Sequence, residues 1–297
     1  MSIVYSPKYE LDLGGHIWPT VKYRLIAERL LAEGVADAAD LVSPVLCSWE
    51  ALALVHTSEY LTRVRDGTLS EDEIQTLELP WLPELVEGFR LMTGGTCVAA
   101  ELALEHGSAV HLGGGLHHAF PNHGEGFCLF NDIAVAIRRL QGAGRIQRAS
   151  VVDCDVHHGN GTAMIFEGDP SVFTFSIHQH HNYPLFKPRS DLDIGLADGT
   201  GDAEYLSRLS DALPIVLRSS PDVVVYVAGA DPFRGDRLGG LALSFEGLRK
   251  RDAVVFEAAR SAGVPVVVVL AGGYAADVED TVDVHVATVR EMAQARP

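Results

Sequence analysis

Residues Ala149 to Gly161 read ASVVDCDVHHGNG. An apolar, β-branched run gives way at Asp153 to a cluster of ionisable residues and then to glycines. That is the pattern of a buried strand opening into a loop. The same pattern recurs along the chain. Ala109 to Leu112 (AVHL) precedes GGG, and Ser171 to Ile177 (SVFTFSI) precedes a histidine-rich segment. Val223 to Ala228 (VVVYVA) precedes GADPFRGD, and Val264 to Leu270 (VPVVVVL) precedes AGGY. Because the runs are continuous rather than alternating, both faces of each strand are expected to be covered, which is the situation of a parallel sheet.

Helical patterns lie between these runs. They occupy Thr93 to His106, Asn131 to Leu140, Asp202 to Leu217 and Phe245 to Ala262, the last ending just before Gly263. A C′ glycine and arginines in a last turn are ordinary helix endings. Alternating strands and helices predict an α/β protein, a three-layer αβα arrangement around a central, mainly parallel sheet with right-handed crossovers. Residues 63–85 are the least regular stretch, carrying Pro80 and Pro83, and are expected to form a surface loop. A length of 297 residues allows two domains. With no repeat, linker or low-complexity tract, one domain over residues 1–297 is expected.

Composition narrows the function. There are 23 Lys+Arg against 40 Asp+Glu, a formal charge of -17. That balance opposes sequence-independent nucleic-acid binding, which needs clustered cations, and adsorption to anionic membranes. The four cysteines are dispersed, which suits reduced thiols in the cytoplasm rather than a disulfide framework. No secretory signal pattern opens the chain, and the longest apolar run, Val264 to Ala271, is too short to span a bilayer.

Polar residues cluster where the apolar runs end. Ligands of open parallel sheets bind outside the carboxyl ends of the strands. In extended chain Asp153, Asp155 and His157 point to one side. Two carboxylates and an imidazole sharing a face need a cation or many hydrogen bonds to compensate them. A divalent metal meets that need, and imidazole plus carboxylate suits zinc or iron, with Asp231 able to complete a three-residue shell. The competing reading is that these groups only cap helices and bind loop amides. In HLGGGLHH the glycines allow close backbone approach, and His117 and His118 are either surface residues or, beside a metal, acid–base candidates. Neither a GxGxxG in frame nor a GK[ST] accompanies the glycines, which disfavours nucleotide binding. Tyr274 is either a core tyrosine or a donor to a developing oxyanion. His56, His178, His180 and His181 are expected to be core or solvated loop histidines.

Taken in order, GGGLHHA (Gly113 to Ala119), GFCLFND (Gly126 to Asp132), VVDCDVHHGNGT (Val151 to Thr162), TFSIH (Thr174 to His178), DGTGDAEYL (Asp198 to Leu206), AGADPFRGDRLGGL (Ala228 to Leu241) and LAGGY (Leu270 to Tyr274) resemble the histone deacetylase superfamily, which has the arginase–deacetylase fold. The opening GHIWPTVKYRLIAERL and the compact length are similar to bacterial and class IV-like members. The resemblance implies zinc ligands at Asp155, His157 and Asp231, and paired active-site histidines at His117 and His118. It further implies that Asp153 orients His117. The partner of His118, an Asp in class I members, is Asn160 here, which is expected to leave His118 less basic. Tyr274 matches the catalytic tyrosine and Phe127 one channel wall. Tyr183 is the choice for the other wall, with Phe186 the alternative. Gly126, Leu238 and Gly272 complete the expected substrate contacts. A structural monovalent cation, K+ in this family, would take Asp153 and Ser176, with backbone carbonyls of Asp155, His157 and Ile177.

The resemblance thus implies zinc-assisted amide hydrolysis, with His118 as general base and later proton donor. In that scheme His117 stabilises charge and Tyr274 hydrogen-bonds the oxyanion. The expected substrate is an acyl-lysine protein or peptide. An acetylated polyamine is the alternative, disfavoured because Leu238, aligned with the acidic rim position of polyamine-selective relatives, is apolar. An acid from residues 63–85 would weaken that argument. A reading from another class is a non-catalytic, metal-dependent acyl-lysine binder.

Overall fold

The computed structural model describes residues 1–295. The chain runs β1 (Ile3–Val4), α1 (Lys22–Ala32), β2 (Leu41–Val42), α2 (Trp49–Leu52), α3 (Ser58–Asp66), α4 (Glu71–Leu77), α5 (Pro83–His106) and β3 (Ser108–His111). It continues with α6 (Asp132–Gly142), β4 (Ala149–Asp153), α7 (Asn160–Phe166), β5 (Val172–Gln179), β6 (Leu192–Leu196), α8 (Asp202–Leu217), β7 (Val223–Val227), α9 (Phe245–Ala262), β8 (Val266–Val269) and α10 (Val278–Gln294). The eight strands form one sheet in the order β2-β1-β3-β8-β7-β4-β5-β6, every pairing parallel.

The valine runs explain the layers. Side chains alternate across a strand, so Val225, Val227, Val267 and Val269 pack into a core on one face. Val224, Tyr226, Val266 and Val268 pack into a second core on the other. Helices α5 and α6 pack together over the first core, while α8, α9, α10 and α1 form a continuous layer over the second. Fully burying each such side chain contributes roughly 1.5–3 kcal/mol, which holds the sheet between its two helical layers, while the helical crossovers set the parallel direction.

Residues 63–85 depart from the expected surface loop. The stretch holds the end of α3, all of α4 and the start of α5. Ser70 and Glu73 form a capping box that starts α4, and Leu77 and Leu79 are buried beneath it. This anchoring delivers Glu78, at φ 60, to the carboxyl end of the sheet.

Candidate active site

The four central strands, β3, β8, β7 and β4, each release a loop at the same end of the sheet. The loop after β3 carries His117 and His118, and the one after β4 carries Asp155 and His157. Asp231 follows β7, and Gly272 and Tyr274 follow β8. The β3 loop is tied down from below. Asp132 accepts from the backbone N–H groups of Gly115 (3.0 Å) and Leu116 (2.7 Å) and from the Thr96 hydroxyl (2.5 Å). His111 lies between the hydroxyls of Thr96 and Tyr9.

Asp155, His157 and Asp231 are brought together and are fully or almost fully buried. His157 Nδ1 lies 3.1 Å from Asp155 Oδ1 and 3.3 Å from Asp231 Oδ2. The remaining carboxylate oxygens are committed to backbone: Asp231 Oδ1 accepts from Val156 N–H and Asp155 Oδ2 from Gly272 N–H. Asp231 Oδ2 accepts no hydrogen bond although it is buried. A Cβ on Gly272 would collide with that oxygen, so only glycine fits there. Burial raises both carboxyls. The charges of His117 and His157 overcome this at Asp155 and hold it well below the usual carboxylate range. Asp231, with Asp155 beside it, stays raised. Three donors converging on one point, one of them an orphaned buried oxygen, fit a divalent cation of the zinc type.

His117 and His118 flank that point. His117 Nδ1 is 2.7 Å from Asp153 Oδ2, and His118 Nδ1 is 2.7 Å from Asn160 Oδ1. Burial pushes His117 down, but the Asp153 and Asp155 charges outweigh it and raise the imidazole to about 9. Burial and the positive His117 and His157 hold His118 well below its ordinary value, as the neutral partner at position 160 leads one to expect. Burial and the Asp231 and Asp155 charges keep the Tyr274 phenol protonated, well above its ordinary value, and therefore a donor.

One cavity of about 180 Å³ is lined by His117, His118, Gly126, Phe127, Asp155, His157, Tyr183, Leu238, Gly272 and Tyr274. Phe186, the alternative wall, is 62% exposed and does not line it. Gly126 adopts φ 51, and a Cβ there would lie 2.8 Å from the Tyr183 ring, which keeps the channel wall close. Asp153, Asn160, Asp231, Ser176 and Ile177 stand behind the lining. Asp153 and Ser176 are register partners on β4 and β5.

Other contributors were not singled out as site residues by the sequence reading. Lys22 on α1 is fully buried and its Nζ donates to the Ala271 carbonyl at 2.8 Å, beneath the Tyr274 ring. Burial lowers it to about 8 despite the nearby Asp231 and Asp155. Asp236 accepts from the N–H groups of Tyr274, Leu238 and Gly239, fastening the Tyr274 loop to the one that carries Asp231. Buried Arg251 donates to the Gly229 carbonyl and supports the same loop. The exposed Glu78 lines the same cavity as Leu238, so residues 63–85 do supply an acid. Of the remaining histidines, His56 and His178 are core residues while His180 and His181 are exposed. His158, His178 and Asp193 also gather, but as a hydrogen-bonded set: His158 Nε2 pairs with Asp193 and His178 Nδ1 with the Ser176 hydroxyl.

A parallel α/β sheet with a metal-type ligand set and paired histidines at its carboxyl edge defines a metal-dependent hydrolase. A profile of the histone deacetylase domain matches residues 16–289, and the chain belongs to the histone deacetylase family, whose members are zinc-dependent hydrolases. It is 44% identical over 285 residues to an uncharacterized protein of Picosynechococcus, covering 95% of each chain. It is 32% identical to histone deacetylase 2 of Arabidopsis thaliana, over 92% of this chain and 74% of that one. A polyamine deacetylase of Rattus norvegicus is 34% identical over 71% of this chain and 40% of its own length. Among solved structures, the HDA15 HD domain superposes with a TM-score of 0.82 at 25% identity, covering 99% of this chain and 88% of that one. The fold is the arginase–deacetylase type expected from the motifs.

Proposed function

We propose that the chain, acting as one catalytic domain, removes acetyl or other acyl groups from lysine side chains of proteins or peptides. The observation that carries this reading is the cavity itself. It is small beside the 300–1,000 Å³ of drug-sized pockets, and Phe127 and Tyr183 line it together with Asp155, His157, His117 and His118. A small cavity lined by aromatic rings and by the ligand and histidine set suits a linear aliphatic amide.

Asp155, His157 and Asp231 would hold zinc, which when bound supplies Lewis-acid polarisation and a water of lowered pKa. A monovalent cation such as K+ would take Asp153 and Ser176 with the carbonyls of Asp155, His157 and Ile177. Phe127 and Tyr183 orient the alkyl chain and exclude water from it. His118 Nε2 takes the proton of the attacking water and later delivers it to the leaving amine. His117, held by Asp153, stabilises negative charge beside it. The Tyr274 hydroxyl donates to the tetrahedral oxyanion. This chemistry is carried out in the cytoplasm in our reading; among the described residues no helix is long and apolar enough to cross a membrane.

Glu78 supports a second substrate reading. A carboxylate at the mouth would attract the second amine of an acetylated polyamine. The test uses the zinc-loaded protein with a fluorogenic acetyl-lysine peptide and with acetylated spermidine and putrescine, each with and without a hydroxamate. Peptide turnover blocked by hydroxamate is expected. Turnover of the polyamines alone, reduced by Glu78→Gln, would replace the substrate class. No turnover with intact zinc binding would replace the enzyme by a binder.

A further inference from the structure

Glu125 does not line the cavity, yet it is bound to a wall of it and to the support of one of its histidines. Glu125 Oε1 accepts from Asn160 Nδ2 at 2.7 Å and from the Tyr183 hydroxyl at 3.1 Å. Its Oε2 lies 3.3 Å from His123 Nε2. The backbone is clamped as well, exchanging two hydrogen bonds with Cys128 (3.1 and 2.9 Å) just before the Gly126–Phe127 turn. Asn160 is fully buried, and its other amide atom, Oδ1, faces His118 Nδ1.

The consequence follows from what each group can donate. An asparagine amide has one donor end and one acceptor end of nearly equal shape, so its neighbours decide which way it points. A carboxylate only accepts, so Glu125 takes the Nδ2 end. Oδ1 is then left for His118, and an acceptor there requires the proton on Nδ1. The lone pair therefore sits on Nε2, where a general base needs it. Burial opposes the charge of Glu125, but the hydrogen bonds from His123, Asn160 and Tyr183 outweigh it and keep the carboxyl below its ordinary value.

We infer that Glu125 is a positioning residue that locks the Asn160 amide and, through it, the Nδ1–H tautomer of His118. The carboxylate that position 160 lacks stands one hydrogen bond further out. This inference rests on His118 acting as the base proposed above.

The test uses the full-length, zinc-loaded protein with the acetyl-lysine peptide and four variants. Glu125→Ala frees the amide to flip and is expected to lower kcat by about tenfold to a hundredfold, the range for groups that orient a catalytic residue. Its KM is expected to move no more than that of Tyr183→Phe, which breaks the same hydroxyl contact and leaves the Asn160 clamp. Glu125→Gln, which still offers an acceptor, is expected to keep most of the kcat. Adding Asn160→Asp to Glu125→Ala is expected to restore kcat, because an Asp presents only acceptors to His118. Independently of turnover, 15N spectra of histidine-labelled protein, with His118 assigned by His118→Ala, are expected to show unprotonated Nε2 in the parent. Glu125→Ala should mix in the Nε2–H form, and the double variant should remove it. An unchanged kcat and unchanged His118 spectrum in Glu125→Ala would overturn the inference, as would a double variant no better than Glu125→Ala. A parent that hydrolyses no amide would instead sink the functional reading, while the spectra still decide the tautomer.

Discussion

His117 and His118 are adjacent in the chain, both buried, with ring centroids 4.1 Å apart, yet they are set up in opposite ways. Burial pushes both imidazoles toward neutrality. The difference lies in what each Nδ1 meets: an Asp153 carboxylate in one case and a neutral Asn160 amide in the other. The first ring is raised to about 9 and the second is held well below its ordinary value. Two like groups pushed apart by their surroundings are the pattern from which acid and base roles can be assigned. In the proposed mechanism the charged limb would hold a cation beside the developing oxyanion, and the neutral limb would keep a free base available at neutral pH.

The largest break in this pairing should come from His118→Ala, with kcat falling by about 10²–10⁴, the usual contribution of a general base. Steady-state turnover of the acetyl-lysine peptide measures it, and near-parental kcat would remove His118 from that role. Asp153→Asn should cost about 10–10² in kcat and act through His117. The sign follows from the charge: without the carboxylate, burial wins and the His117 pKa falls. The alkaline limb of the kcat profile should therefore move to lower pH in the variant. A limb that stays in place would show that it belongs to another group. On the acid side the parent rate should persist below the ordinary histidine range, because His118 resists protonation. The smallest effect should follow from Asp132→Asn beneath the shared loop. Weakening its contacts to Gly115, Leu116 and Thr96 should lower stability by about 1–3 kcal/mol in a denaturant melt, with both histidine roles retained.

The ionisable residues of both limbs were visible in the sequence as polar clusters after apolar strands, whereas the pairing of His117 with Asp153 and of His118 with Asn160 came only from the resemblance to the family. The valine runs at β7 and β8 announce strands covered on both faces, and DCDVHH announces a ligand set. What was not legible is short or remote. β1 is two residues, and β6 (LDIGL) interrupts its apolar pattern with Asp193 and Gly195. The Ser70–Glu73 box that starts α4 was present as a signal, but two nearby prolines obscured it. Lys22 looks like a surface cation on a charged helix until packing carries its Nζ to a carbonyl 249 residues away. Glu125 sat beside one recognised motif and Asp236 within another, and only the folded loops reveal what they hold.

The strand order has a consequence for how this molecule comes into being. β8, late in the sequence, lies between β3 and β7 at the middle of the sheet. Until Val266–Val269 emerges from the ribosome, β3 and β7 each keep one edge waiting for it, and the loops bearing His117 and Asp231 belong to two separate half-sheets. Parallel pairing across such sequence distances is slow to form. Joining the His117 loop to the Asp231 loop through the sheet therefore waits on this one valine strand, which is made late in synthesis.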